Sequence, residues 1–133
     1  MAKSPEDNNP EWAEAFNAGD GEALLALYDP EARFVMPTGD VLEGVGAIAE
    51  ALGGFFALQP QIDLRTERVL RCGDTAISNG SWTVTGTAPD GAAVEMSGRD
   101  TVVLREQDDG MWRMVFDDPG WSEQTVELFK AMG

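Results

Sequence analysis

The chain has 133 residues, 43% of them hydrophobic and 25% charged, and its 24 acidic against 9 basic side chains give a net charge of −15. That length suits one domain over residues 1–133, burying roughly 68% of its unfolded surface, and the acidic balance argues against nucleic acid and anionic membranes as partners, because both need clustered cations. Histidine is absent and Cys72 is the one cysteine, so His-based triads, Cys/His zinc sites and disulfide frameworks drop out together and no metal centre is expected.

Residues 1–8 are polar and carry no apolar period, which reads as a loose lead-in. With no apolar leader and no window approaching 18 apolar residues, a cytoplasmic location is expected. Asn9-Pro10 offers an N-cap followed by proline at the first helical position, with Trp12 and Phe16 on one helix face and Gly19 to close it. Asp20 caps a second short helix bearing Leu24, Leu27 and Tyr28, which Asp29-Pro30 ends. The stretch ARFVMP alternates, with Phe34 and Met36 on one face, and VLEG continues it after a turn at Thr38-Gly39-Asp40. A third helix starts near Val45, with Val45, Ile48, Ala49, Leu52 and Phe56 at helical spacing.

From Gln61 the period changes to two. QIDLRTERVLRC, TAISNGSWTVTGTA, AAVEMSGRDTVVLRE and MWRMVFDD read as four long strands, separated by Gly73-Asp74, Pro89-Asp90-Gly91 and Asp108-Asp109-Gly110. Connections this short join antiparallel neighbours. Ser122 then caps a last helix within 121–133, with Val126, Phe129 and Met132 inward and Trp121 stapled to Val126. Helices followed by a meandering sheet make an α+β fold in which helices cover one sheet face.

The strand faces carry the chemistry. Val94, Met96, Val102 and Leu104 share a face with Gly98 and Asp100, and Trp112, Met114 and Phe116 share one with Asp118, while Asp117 points to water. If Asp108-Asp109-Gly110 is a three-residue hairpin loop, Gln107 pairs with Met111, Leu104 faces Met114, Val102 faces Phe116 and Asp100 faces Asp118. Opposed Cβ atoms stand about 4.5–5.5 Å apart, and two carboxyls that close on an apolar face do not both ionise cheaply. Asp100 and Asp118 are therefore the candidate catalytic pair, an acid and an acceptor without histidine. The alternative is that Asp118 lies past the ladder and caps the Pro119-Gly120 turn. Trp12, Phe16, Phe34, Met36, Trp82, Met96, Met114 and Phe116 line an apolar cavity or fill a core. Gly44-Val45-Gly46-Ala47-Ile48-Ala49 fits a loose dinucleotide pattern, but that fingerprint needs a parallel βαβ unit, which the antiparallel reading does not supply.

FNAGDGEALLALYDPEARFVMPTG, LEGVGAIAEAL and GRDTVVLREQDDGMWRMVFDDPGW together resemble the SnoaL-like and ketosteroid-isomerase-like families of the nuclear transport factor 2-like superfamily, over about Trp12 to Trp121. The resemblance implies a cone-shaped, curved antiparallel sheet wrapped around N-terminal helices, of the cystatin-like kind, holding a small apolar molecule. It also implies a homodimer through the outer sheet face, and no cofactor. The isomerase's general base falls on Met36, its oxyanion tyrosine on Trp12 and its protonated oxyanion aspartate on Asp100. The expected function is binding of an apolar or polycyclic molecule with isomerase or cyclase-type acid–base chemistry; the alternative is a non-catalytic binding or dimerisation module.

Overall fold

Proline and glycine punctuation divides the described residues into four α-helices and six strands. The computed structural model describes residues 2–132, the side chain of Met132 excepted, so the inward placement expected for Met132 lies outside the described residues. In chain order the elements are α1 (Asn8–Asn17), α2 (Gly21–Leu25), β1 (Tyr28–Val35), β2 (Val41–Glu43), α3 (Val45–Phe56), β3 (Gln61–Cys72), β4 (Thr75–Thr87), β5 (Ala93–Glu106), β6 (Trp112–Asp118) and α4 (Glu123–Met132). The long strands and α3 match their expected bounds to within a residue. The strands form one open sheet in the order β2-β1-β6-β5-β4-β3. Among the described residues no helix is long and apolar enough to cross a membrane.

Four features depart from the sequence reading. The lead-in is packed rather than loose: Ala2 is fully buried and bridges to Trp112, and Pro5–Asp7 form a 3-10 turn feeding α1. The strand β1 begins at Tyr28, ahead of Pro30, because its pairing with β6 is interrupted between Tyr28 and Arg33. A proline without an N–H fits in such a gap. The β1–β6 pairing is parallel, whereas every other pairing in the sheet is antiparallel. On α4 the residues turned to the body are Thr125, Leu128 and Phe129 rather than Val126. Trp121 stacks on Phe55 at 5.8 Å and lies 5.9 Å from the Phe129 ring.

The inner sheet face meets the helices around Trp112, Leu104 and Met114 from the sheet and Leu24, Leu27 and Ile48 from the helical side, all 2% exposed or less. The helix α2 starts where Asp20 accepts the Ala23 N–H at 3.0 Å, and α4 where Ser122 Oγ accepts the Thr125 N–H at 3.2 Å. Each is the side-chain cap expected at those positions, satisfying a donor the helix leaves over.

Candidate active site

Asp100 comes to the inner face by simple alternation along β5, between the inward Met96 and Val102. Its partner across the ladder is Gly80 on β4. A Cβ at position 80 would stand 2.7 Å from Asp100 Oδ1 and 2.6 Å from the Arg65 carbonyl, so only glycine leaves room for the carboxyl there. Asp100 is 7% exposed, and burial pushes its pKa up to about 6 against the opposing pull of the Asn9 amide.

The second carboxyl is not the expected one. The β5–β6 loop forms as read: the Gln107 N–H donates to the Met111 carbonyl at 2.8 Å, Gly110 takes φ 80, and Leu104 faces Met114. The register then slips, with Val103 opposite Phe116 and Val115 left as the extra residue of a β-bulge. A one-residue slip sends every later side chain to the other face. Asp117, expected in water, is consequently inward and 7% exposed. Asp118, expected beside Asp100, is exposed opposite Thr101, and its carboxylate accepts the Gly120 N–H at 3.0 Å, which closes the turn. Phe116, expected in the cavity, is 53% exposed on the outer face. Met36 packs half-buried against the core, outside the cavity lining.

The remaining expected residues, Trp12, Phe16, Phe34, Trp82, Met96 and Met114, do line one pocket with Asp100 and Asp117. About 610 Å³ of non-atom space lies along this lining, a figure that includes open solvent at the mouth, and Phe55 and Trp121 complete its aromatic wall. Trp82 Nε1 donates to the Pro119 carbonyl and Trp121 Nε1 to that of Val35, both at 2.8 Å, so these rings are fixed and present apolar surface.

Asp117 is held by a chain of hydrogen bonds. Tyr28 Oη donates to Asp117 Oδ2 at 2.6 Å and itself accepts from Trp12 Nε1 at 3.0 Å. Burial, with the facing carboxylate, pushes the Tyr28 pKa up, so the phenol keeps its proton and serves as a donor. Burial likewise pushes Asp117 up to about 7; the Tyr28 hydrogen bond works against this, and the charge of Asp100 adds to it. The indole N–H of Trp12 is committed to Tyr28 and is not offered to the cavity.

The family described as SnoaL-like domain matches residues 10–115. The chain belongs to the SnoaL-like domain family. No curated protein matches it. Among solved structures, this SnoaL-like domain is similar to a ketosteroid isomerase-like protein from Erwinia carotovora atroseptica, at 19% identity and a TM-score of 0.78, covering 87% of this chain and 92% of that one. It is also similar to a nuclear transport factor 2-like superfamily protein from Salmonella enterica, at 21% identity, TM-score 0.75, and 87% and 85% of the two chains. A nuclear transport factor 2-like protein with a cystatin-like fold from Novosphingobium aromaticivorans aligns at 20% identity, TM-score 0.74, over 92% and 84%. At such identities the likeness shows the fold, which is α+β with a curved, unclosed sheet and N-terminal helices.

Sequence reasoning did not place two polar residues of this SnoaL-like pocket, Asn9 and Asp117, or the tyrosine that holds the second of them. Asn9 looked like a helix cap yet lies inside the first turn of α1 and lines the cavity. Tyr28 looked like an apolar helix residue, and its sequence signal is its status as the one tyrosine, buried with its hydroxyl needing a partner. Asp117 carried no local signal, because nothing in Met114-Val115-Phe116 marks the bulge.

Proposed function

We propose that this SnoaL-like domain moves protons on an enolisable, largely hydrocarbon ketone seated in the pocket. Asp117 is the proton acceptor, and Asp100 is the acid facing the carbonyl oxygen. The observation that carries the reading is two buried carboxyls turned into one aromatic-walled cavity. With pKa values of about 6 and about 7, the two carboxyls share a proton near neutral pH; it rests mostly on Asp117, and the form that reacts is the minor one with Asp117 ionised and Asp100 in its acid form. Asp117 takes a proton from the carbon beside the carbonyl. The C–H pair becomes a C=C bond, and the carbonyl π pair moves to oxygen, where Asp100 supplies its proton. Return of the proton from Asp117 to the same carbon, and of the hydroxyl proton to Asp100, restores the ketone with both residues reset. Where a C=C bond lies one carbon beyond, the enol is a dienol, and return of the proton to its far carbon, with the double bonds shifted by one position, completes an isomerisation. The position that the isomerase resemblance gives to the base is Met36, which cannot take a proton, so the acceptor in this reading is Asp117 on β6, the strand paired with β1.

Deuterium exchange into flat cyclic ketones, beginning with 2-tetralone, tests this in D2O without knowledge of the natural product. The wild type should accelerate exchange at the carbons flanking the carbonyl, and Asp117→Asn and Asp100→Asn should each lower that acceleration by about 10²-fold or more. Exchange no faster than in buffer across the ketones, or full activity in Asp117→Asn, would reject the reading.

The same proposal includes a second copy on the outer sheet face. Leu70, Ile77, Val103 and Phe116 are successive cross-strand partners, a row crossing four strands, and three of them are 40–53% exposed. The ladder register also places Arg33, Arg65, Arg68, Arg99, Arg105 and Arg113 on this face. On a chain of net charge −15, a face holding most of the basic residues is where two copies repel least. Light scattering should find a dimer for the wild type and a monomer for Phe116→Glu. A monomeric wild type, or an unaffected variant, would remove the dimer from the proposal.

A further inference from the structure

Two atoms at the polar end of the cavity are left without partners by the chain itself. Asn9 is 5% exposed; its Oδ1 accepts from Asn8 Nδ2 at 3.1 Å, which turns Nδ2 away from Asn8 and leaves it without a hydrogen bond. Asp100 is 7% exposed, and its Oδ1 also has no hydrogen-bond partner. Both atoms lie over Gly80: a Cβ built there would be 2.7 Å from Asp100 Oδ1 and 3.3 Å from Asn9 Nδ2. The Asn9 amide is near enough to act on the Asp100 carboxyl, but the approach does not meet hydrogen-bond geometry, so each atom keeps an unused valence. A buried polar atom in that condition costs about 1–3 kcal/mol, and in folded proteins such atoms nearly always find a partner. Every other wall of the cavity beyond Asn9, Asp100 and Asp117 is aromatic, aliphatic, thioether or proline.

We infer that Asn9 Nδ2 and Asp100 Oδ1 form a station for the single oxygen of a flat, otherwise hydrocarbon ligand, and that Asn9 is the residue that selects for that oxygen. A hydroxyl or enol there accepts from Asn9 and donates to the Asp100 carboxylate. A ketone accepts from Asn9 and from Asp100 in its acid form. The amide of Asn9 donates in both cases, so it holds the oxygen still while Asp100 and the ligand pass a proton between them. The inference deepens the proposed function and rests on its cavity, but not on the turnover assigned to Asp117.

The probes are 2-naphthol and naphthalene, which share a ring system and differ in one hydroxyl. Their dissociation constants are measured at pH 8, where a phenol is neutral, on wild type and on Asn9→Leu. The wild type should prefer 2-naphthol by about ten-fold or more, as one or two hydrogen bonds to a charged site give. In Asn9→Leu that preference should fall by about five-fold, as the loss of one hydrogen bond gives, with naphthalene affinity retained as proof of an intact pocket. Should Asn9→Leu lose naphthalene too, Asn9→Ala takes its place under the same criterion. Equal binding of the two probes to wild type, or a preference undiminished in the variants, would overturn the station and leave the deuterium-exchange result untouched. Failure of both probes to bind wild type would overturn the station together with the cavity reading.

Discussion

Asp117→Asn should stabilise the protein at pH 8 and give no comparable gain at pH 3.5. In the unfolded chain an aspartate titrates near 3.9, and in the fold burial pushes Asp117 up to about 7. Below about pH 4 both states hold the proton, and the contribution of the group is fully present. As pH rises, the unfolded state gives up its proton first, so stability falls progressively until Asp117 itself ionises near pH 7, and it is level above that. The whole interval corresponds to about 4 kcal/mol as an upper bound. Asparagine does not ionise, and its Oδ1 still accepts from Tyr28. Its amide must find an acceptor in the cavity, which offsets the gain by about 1 kcal/mol. The expected net gain is about 2–3 kcal/mol at pH 8, read by urea unfolding, and at acid pH the gain is gone and only the offset of the amide remains. A variant less stable than wild type at pH 8, or the same difference at both pH values, would show that Asp117 is not held against its ionisation. Paired with lost exchange activity, the gain would mark a site kept at the expense of stability.

The fold was legible where local chemistry repeats. The alternation in Gln61–Cys72 and Thr75–Thr87, the glycine turns between strands and the apolar stripe of Val45–Phe56 each specify their element without reference to the rest of the chain. Asp100 was legible for the same reason, because β5 keeps an unbroken inward alternation as far as Leu104. The second half of the site was not. Unbroken alternation in Trp112-Arg113-Met114-Val115-Phe116 assigns Phe116 to the interior, and that premise assumes that a phenylalanine is buried by its own chain. The bulge at Val115 instead aligns Phe116 with Val103, Ile77 and Leu70 on the outer face, and the same slip turns Asp117 inward. An apolar pattern therefore misleads where the surface it belongs to is not the domain's own core. The parallel β1–β6 pairing joins segments some eighty residues apart, Tyr28 with Met114, and no short-range signal encodes it. Without that pairing Tyr28 does not reach Asp117.

Tyr28→Phe should raise the titration midpoint of Asp117 and move its chemistry to higher pH. The substitution removes one oxygen and leaves the ring in place, so packing changes little. Two hydrogen bonds go with that oxygen: the donation to Asp117 Oδ2 at 2.6 Å and the acceptance from Trp12 Nε1 at 3.0 Å. The first favours the ionised carboxylate and opposes its burial, so its loss leaves desolvation less opposed and the acid form gains. A hydrogen bond to a charged group contributes about 1.5–3 kcal/mol, equivalent to about one to two pH units. Carboxyl-carbon NMR, assigned with Asp117→Asn, should thus find the midpoint clearly above the wild-type value of about 7. Deuterium exchange at pH 7 should slow in proportion to the lost carboxylate, and the rising limb of its pH profile should move up with the midpoint, because the base itself remains. A purely structural role for Tyr28 gives a different pattern: activity falls equally at every pH and the midpoint stays in place, since a disturbed fold lowers the amount of competent site without retuning it. A midpoint that falls would be more damaging still, because it would mean that water enters when the hydroxyl leaves. The tyrosine would then be excluding solvent rather than holding the carboxylate ready to accept a proton.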